Sequence, residues 1–119
     1  MANKGFFSGR LASAPTLEMH STEVCRFTLI RNEYAGKDDV TGEAKESKKV
    51  SIQFVAFGSR GRAIAENVAK GDQLEVEYRI QNNNYTKEGE DVYGFNFVVV
   101  EFEFGAPGSI TRERLAQEE

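Results

Sequence analysis

The sequence predicts an all-β domain that contains a single helix. Alternation of apolar and polar residues with a period of two dominates the chain, and this period is typical of half-buried strands. The only convincing helical pattern is in the stretch GSRGRAIAENVAKGD. At 119 residues the chain has room for one domain with one modest hydrophobic core.

Each predicted element follows from its local pattern. The predicted strands are Lys4–Ala12, Glu23–Asn32, Lys48–Phe57, Gln73–Gln81 and Val92–Phe104. The helix is expected at Arg60–Ala69, with Gly71 at its C-terminal stop. Five strands with one helix between the third and fourth is the order expected of an OB-fold, a small Greek-key barrel. An antiparallel meander packed on a helix fits the same pattern.

The inward-facing residues define the expected core. The fifth strand changes phase, because Phe95 and Phe97 follow one register whereas Phe102 and Phe104 follow the other. A bulge or a segment buried on both sides at Val98–Val100 would explain this change. The aromatic residues expected in the core are Phe6, Phe27, Phe54, Tyr78, Phe97, Phe102 and Phe104.

Composition restricts the classes of function. The net charge is −4, so composition alone does not indicate nucleic-acid binding, although a local basic groove matters more than the total. Cys25 is the only cysteine and His20 the only histidine, which excludes an internal disulfide and argues against a zinc site. Neither residue belongs to a catalytic constellation, so no enzyme is predicted.

The ends of the chain and its hydropathy bear on location. No stretch reaches the roughly 20 apolar residues of a membrane span, and the N-terminus has no signal-peptide pattern. A lone cysteine suits a reducing cytoplasm. The ordered domain is expected to cover residues 1–104. Residues 105–119 lack a periodic apolar pattern and are expected to form a mobile tail.

Three aromatic residues fit the core less easily than the others. Tyr34 falls in the polar stretch Glu33–Glu46, which predicts a long exposed loop. Phe57 faces away from the apolar set of its strand, and Tyr85 follows a run of three asparagines. A ring on the surface can stack on an unpaired base. Each ring alone is also consistent with a surface residue or a minor packing contact.

Basic side chains lie close to these three rings in the sequence. They are Arg31 and Lys37 around Tyr34, Lys48 and Lys49 at the start of the strand that carries Phe57, and Arg79 and Lys87 around Tyr85. Lysine and arginine neutralise phosphates while rings take the bases, and this pairing is typical of single-strand binding. Scattered solvated charge accounts for the same spacing.

Several segments, taken in order, carry a resemblance to a known family. They read NKGFFSGRLASAP, FTLIRNEY, TGEAKE, VAFGSRGRAIAENVAKGDQLEVEYRIQNNNY and YGFNFVVV. In these segments the chain resembles the bacterial single-stranded DNA-binding protein family, over about residues 3–104. The resemblance implies an OB-fold that assembles as a homotetramer and binds single-stranded DNA without a cofactor.

The resemblance also implies roles for individual residues. Tyr34, Phe57 and Tyr85 fall at base-stacking positions, and Lys4 and Lys70 at basic positions. The chain departs from the family in three places. Ser51 stands where better-known members have another stacking tryptophan, and three asparagines, Asn83 among them, stand where the family is rich in arginine and lysine. The acidic C-terminal tip that recruits replication and repair proteins in the family is absent from this sequence, so recruitment through that tip is not expected, while replication or recombination proteins stay open as partners.

The main hypothesis is therefore sequence-independent binding of single-stranded DNA in replication, recombination or repair. Tyr34, Phe57 and Tyr85 would stack on bases. Phosphate contacts are expected from Lys4, Arg31, Lys49, Lys70, Arg79 and Lys87, with Asn83 hydrogen-bonding to phosphates or base edges. Two alternatives remain open: a dimeric primosome-type accessory protein that bridges DNA and protein partners, and an OB module that binds only protein.

Overall fold

A computed structural model of the chain describes residues 2–33, 40–42, 48–92 and 94–118, without the side chains of Tyr85 and Glu118. The strands are β1 (Gly5–Leu11), β2 (Thr16–Met19), β3 (Glu23–Glu33), β4 (Lys48–Phe57), β5 (Gln73–Asn82), β6 (Tyr85–Lys87), β7 (Glu90–Val92) and β8 (Phe95–Phe104). Helix α1 covers Gly58–Asn67 and helix α2 covers Ser109–Glu118.

Five of these strands close into a barrel. The sheet order is β1-β5-β8-β4-β3-β2, and an additional pairing of β1 with β3 joins the two sides of the sheet. All pairings are antiparallel except that of β4 with β8, which is parallel and is limited to Phe54 with Phe97 and Val55 with Val98. Beyond these two pairs the strands β4 and β8 diverge, which leaves a cleft in the wall of the barrel.

The core follows the alternation of the strands. Its buried members are Leu11, Cys25, Phe27, Leu29, Phe54, Ala56, Ile64, Val68, Leu74, Val76 and Val99. Phe54 lies at the centre, with its ring centroid 5.4–6.2 Å from those of Phe7, Phe27, Tyr78 and Phe97. Aromatic rings at these separations attract each other by about 0.5–1.5 kcal/mol per pair beyond the burial of their area.

The predicted phase change in the last strand is confirmed as a bulge. Glu77 pairs with Glu101, whereas the next residue, Tyr78, pairs with Val99, so Val100 has no partner in the β5–β8 ladder. Val99 and Phe102 are three residues apart and would face opposite sides of a regular strand. The extra residue at the bulge lets both of them face the core.

Helix α1 begins two residues earlier than the sequence pattern predicts. Gly58 adopts a φ of +64°, which glycine reaches without strain, and this turns the chain directly from β4 into the helix. Gly61 then packs against the barrel, since a Cβ there would lie 2.6 Å from the Ala56 carbonyl oxygen. Arg62 donates two hydrogen bonds to the Glu23 carboxylate on β3, and these bonds lower the pKa of Glu23.

Two aromatic residues expected in the core are on the surface. Phe6 is 69% exposed because Phe7, not Phe6, has the inward direction on β1. Phe104 is 53% exposed although it pairs with the buried Leu74, because it is the last residue of β8 and lies at the end of the barrel. The other five rings expected in the core are buried there or packed against it.

The C-terminal segment contains a helix that the sequence pattern does not predict. Asp72 is 4% exposed and accepts hydrogen bonds from the Gly108 N–H (2.7 Å), the Thr111 Oγ1 hydroxyl (2.6 Å) and the Ala69 N–H (2.9 Å). These bonds hold the start of α2 against the turn that follows α1. Because polar groups make this anchor, the sequence of α2 has no periodic apolar pattern from which the helix could be predicted. The mobility of residues 105–119 stays a prediction.

Candidate nucleic-acid interface

The solvent side of β3, β4, β8 and β5 forms a continuous surface, here called the outer sheet face. Residues paired across neighbouring strands lie on the same side of a sheet, so the strand register assigns its members. They include Arg26 and Thr28 from β3, Lys49, Ser51, Gln53, Val55 and Phe57 from β4, Asn96 and Val98 from β8, and Arg79 and Gln81 from β5.

Two rows of this face run across the strands. In one, Val55 and Val98 lie side by side, with Arg26 in register on one flank and Arg79 on the other. Both valines are buried, together with Val24, as a small second apolar cluster, and both arginines are exposed. The adjoining row is made of uncharged polar residues, namely Thr28, Gln53, Asn96 and Gln81.

Phe57 marks the end of the outer sheet face next to α1. It is the last residue of β4, pairs with Val24 of β3, and is 40% exposed. Its backbone is extended at the position that precedes α1, which fixes the direction of its side chain. At the other end of β4, Lys49 is exposed, eight residues and therefore about 26 Å away along the strand.

The charges on the sheet are divided at the bulge. On the far side of it, β5 and β8 carry Glu75 opposite Glu103 and Glu77 opposite Glu101, here called the acidic strip. Like charges in directly opposite positions destabilise a sheet. Two cations offset them in part, since Lys4 Nζ lies 3.2 Å from Glu77 and the Arg60 guanidinium 3.4 Å from Glu101. A polyanion would therefore meet attraction on the outer sheet face and repulsion on the acidic strip.

Three residues of the sequence hypothesis share the outer sheet face: Phe57, Lys49 and Arg79. Three others lie elsewhere. Arg31 pairs with Val50, on the opposite side of its strand, and lines a separate cleft beside β1. Lys4 adjoins the acidic strip, and Lys70 is exposed in the turn between α1 and β5.

Three of the remaining predicted residues lie beyond the end of β5, and the fourth lies outside the described residues. The backbone of Asn83 continues the β5–β8 ribbon, since its N–H donates to the Gly94 carbonyl over 2.8 Å. Beyond it, β6 and β7 form a small hairpin in which Lys87 is exposed and Tyr85 pairs through its backbone with Val92. Tyr34 lies outside the described residues. The roles assigned to all ten residues stay predictions.

Four residues of this region were not among those expected to bind. Arg26, Gln53 and Asn96 belong to the outer sheet face, and Phe95 lies beside it at the start of β8, 62% exposed. Alternation on β3 assigns Arg26 to the solvent side, so the sequence pattern alone could have included Arg26 among the candidate binding residues. The proximity of Gln53 to β8 depends on the β4–β8 register, which local pattern does not contain.

Two further features of the described residues concern metal binding and membrane crossing. No cluster of three or more histidine, cysteine, aspartate or glutamate side chains suitable for a metal ion is found among them. Within the same residues, no helix is long and apolar enough to span a membrane.

A closed barrel of five strands, with a helix between its third and fourth strands in chain order, is the OB-fold, and the predicted fold class is confirmed. The solved structure of Plasmodium falciparum SSB in complex with ssDNA has the same fold. The TM-score is 0.72 at 20% sequence identity, and the alignment covers 88% of this chain and 96% of that chain.

Sequence comparison then identifies the family. The model of the single-strand binding protein family matches residues 2–105. The single-stranded DNA-binding protein of Clostridium perfringens (strain 13 / Type A) is 34% identical over 106 residues, which are 86% of this chain and 65% of that relative. The chain belongs to the single-strand binding protein family, as the resemblance implied.

Proposed function

We propose that this protein binds single-stranded DNA independently of its overall sequence. It acts as a binding protein and not as an enzyme. The observation that carries the proposal is the outer sheet face itself. An exposed ring, Phe57, shares one sheet surface with Arg26, Arg79 and Lys49, while the four glutamates of the acidic strip are on the other side of the bulge. Rings take bases and cations take phosphates in this mode of binding.

The strand of DNA would run across β3, β4, β8 and β5 between Phe57 and the β6–β7 hairpin. Phe57 stacks on one base, and Tyr34 and Tyr85 stack on others. Lys49, Arg79 and Lys87 contact phosphates, and Asn83 donates hydrogen bonds at the base of the hairpin. Arg31, Lys4 and Lys70 would engage the strand only where it leaves this face, because of their positions in the fold.

Titration of a fluorescein-labelled 15-nucleotide dT oligomer, followed by anisotropy at several salt concentrations, tests the proposal. Phe57→Ala is expected to weaken binding by about 1–3 kcal/mol, the usual contribution of one stacked base. Phe104→Ala is the matched control, since Phe104 is also exposed but lies outside the outer sheet face. No binding by the unaltered protein at low salt would refute the proposal.

A second pair of variants measures the contribution of positive charge on the outer sheet face to DNA binding. Arg79→Ala and Arg112→Ala remove the same charge, the first from the outer sheet face and the second from exposed α2. Each phosphate contact on a single strand contributes about 0.7 to the slope of log K against log salt. Arg79→Ala is expected to lower that slope by about this amount, and Arg112→Ala to leave it unchanged. Equal effects of the two variants would argue against a defined phosphate path.

We further propose that the protein acts as a homo-oligomer in DNA replication, recombination or repair in the cytoplasm. A homotetramer is the main expectation, and a dimer the alternative. Sedimentation velocity in the binding buffer gives the mass directly. The acidic strip, with exposed Phe6 in register opposite Glu77, favours the second candidate function, in which the barrel binds a protein partner instead of DNA. If Phe57→Ala and Tyr85→Ala leave DNA affinity unchanged while a protein partner is captured, that candidate replaces the first.

A further inference from the structure

The cleft where β4 and β8 diverge has a lining unlike the rest of the outer sheet face. It has a volume of about 380 Å³, within the range of roughly 300–1,000 Å³ usual for small-ligand sites. The lining residues used below are Arg26, Ser51, Gln53, Phe95 and Asn96. The cleft thus combines one cation, one exposed ring and two amides.

Phe95 gives the cleft an aromatic wall. It has the same direction along β8 as the core residue Phe97, but β8 extends past its two pairs with β4 here, so the ring has no core to enter. It pairs in register with Asn82 on the other side and is 62% exposed. An exposed ring bordering an open cleft offers a face on which a planar ligand can stack.

The two amides are placed on opposite edges of the same cleft. Gln53 and Asn96 precede Val55 and Val98 by two residues, and that valine pair is in register, so both amides face the same side. Within the described part of the chain, neither side chain forms a hydrogen bond. An amide presents a donor beside an acceptor, and this pattern matches the N6 and N7 edge of adenine. In an unpaired strand that edge is open to contact.

Arg26 and Ser51 give the cleft a positive charge and room for a ligand. Arg26 is exposed at the edge of the cleft and forms no ion pair with any described residue, so its guanidinium is available to a phosphate. Ser51, on the same strand as Gln53, has a side chain too short to fill the opening. The occupant that fits a ring, a cation and two amides is one nucleotide of a single strand.

We propose that this cleft binds one nucleotide and reads its base, with Phe95 stacking on the base, Gln53 and Asn96 hydrogen-bonding its edge, and Arg26 contacting the phosphate. The inference rests on the proposed function, since it concerns the same DNA strand. It adds a preference for adenine at one position to binding that is otherwise indifferent to sequence.

Competition binding tests this preference. The labelled dT 15-mer is displaced by 15-mers of dT that carry dA, dC, dG or an abasic site at the central position. The dA oligomer is expected to compete about fivefold better than dT, the factor that corresponds to the lower limit of one bidentate amide–base pair. Equal competition by dA, dC and dT would overturn the inference.

Variants of Phe95 and Gln53 distinguish stacking on the base from hydrogen bonding to its edge. Phe95→Ala is expected to weaken binding of every oligomer about fivefold or more, whereas Phe95→Tyr keeps the ring and is expected to keep the affinity. Gln53→Leu is expected to reduce the advantage of dA over dT in competition from about fivefold to about onefold. Gln117→Leu, on exposed α2, is its control and is expected to change nothing.

The outcomes distinguish this inference from the proposed function. If the unaltered protein does not bind the dT 15-mer at low salt, the proposed function fails and the inference fails with it. If the unaltered protein binds and Phe95→Ala binds equally well, only the inference fails. Loss of binding in Phe95→Tyr together with Phe95→Ala also overturns it, because the ring would then not be the source of affinity.

Discussion

Replacing Asp72 by alanine should loosen the C-terminal helix from the barrel. The Asp72 carboxylate is the shared acceptor for the Ala69 N–H, the Gly108 N–H and the Thr111 hydroxyl, over 2.6–2.9 Å. Gly108 and Thr111 are buried, so the variant leaves two donors without an acceptor unless α2 moves to admit water. Helix α2 would then lose its polar anchor.

The size of the effect follows from these bonds. A hydrogen bond to a charged group contributes about 1.5–3 kcal/mol net, and such contributions are not additive when one group makes them all. We expect Asp72→Ala to lower the free energy of unfolding by about 3 kcal/mol. For 119 residues the unfolding entropy is about 0.25 kcal/mol per degree, so the melting temperature should fall by about 12 °C.

The effect should also depend on pH. Burial raises the pKa of Asp72, but the hydrogen bonds from Thr111, Gly108 and Ala69 and the charge of Arg114 outweigh it, so the net pKa lies below the ordinary value of 3.8. A carboxyl whose pKa is lower in the folded state stabilises the fold above the unfolded-state pKa. That contribution is lost as the pH falls through the folded-state pKa.

Thermal unfolding followed by far-UV circular dichroism, at pH 7 and again at pH 3, measures both effects. The melting temperatures of the unaltered protein and Asp72→Ala should differ most at pH 7 and less at pH 3. Glu113→Ala, which removes an exposed carboxylate from α2, is the control and should melt within about 2 °C of the unaltered protein. A similarly small change for Asp72→Ala, or a difference that grows on acidification, would refute the reasoning.

Three further results are expected. Gly61→Ala should lower the melting temperature by about 4 °C or more, because its Cβ would lie 2.6 Å from the Ala56 carbonyl oxygen; an unchanged or higher value would contradict that contact. The Cys25 thiol should resist Ellman's reagent at pH 8 until the protein is denatured, since burial raises its pKa to about 11, and rapid labelling of the native protein would contradict this. Asn3→Ala should cost about 1 kcal/mol in urea unfolding, because the Asn3 amide exchanges two hydrogen bonds with the Ile80 backbone; an unchanged midpoint would show that these bonds contribute nothing.

The barrel could be predicted because its strands alternate clearly between core and solvent. Strand β2 was missed because it is only four residues long and entirely exposed, so it has no inward-facing pattern. Helix α2 was missed because a buried carboxylate, not an apolar stripe, attaches it. Phe6 and Phe104 were assigned to the core because hydrophobicity alone does not tell which of two adjacent aromatic residues faces inward, nor which residue lies at the open end of the barrel.

The candidate site was predicted in part. Alternation on β4 correctly directs Phe57 away from the apolar side of its strand. The association of Phe57 with Arg79, and of Gln53 with Asn96, depends on which strands are neighbours and in what register. Those pairings join residues far apart in the sequence, so local pattern contains no information about them.

The bulge at Val100 has a consequence for the proposed encounter with DNA. Because it separates the acidic strip from the outer sheet face, the sheet carries an electric dipole although the net charge is negative. In the field of a polyanion these sheet charges favour the orientation in which Arg26 and Arg79 face the DNA. A protein with a charge of −4 can therefore be repelled by DNA as a whole at long range and still be oriented productively in the encounter.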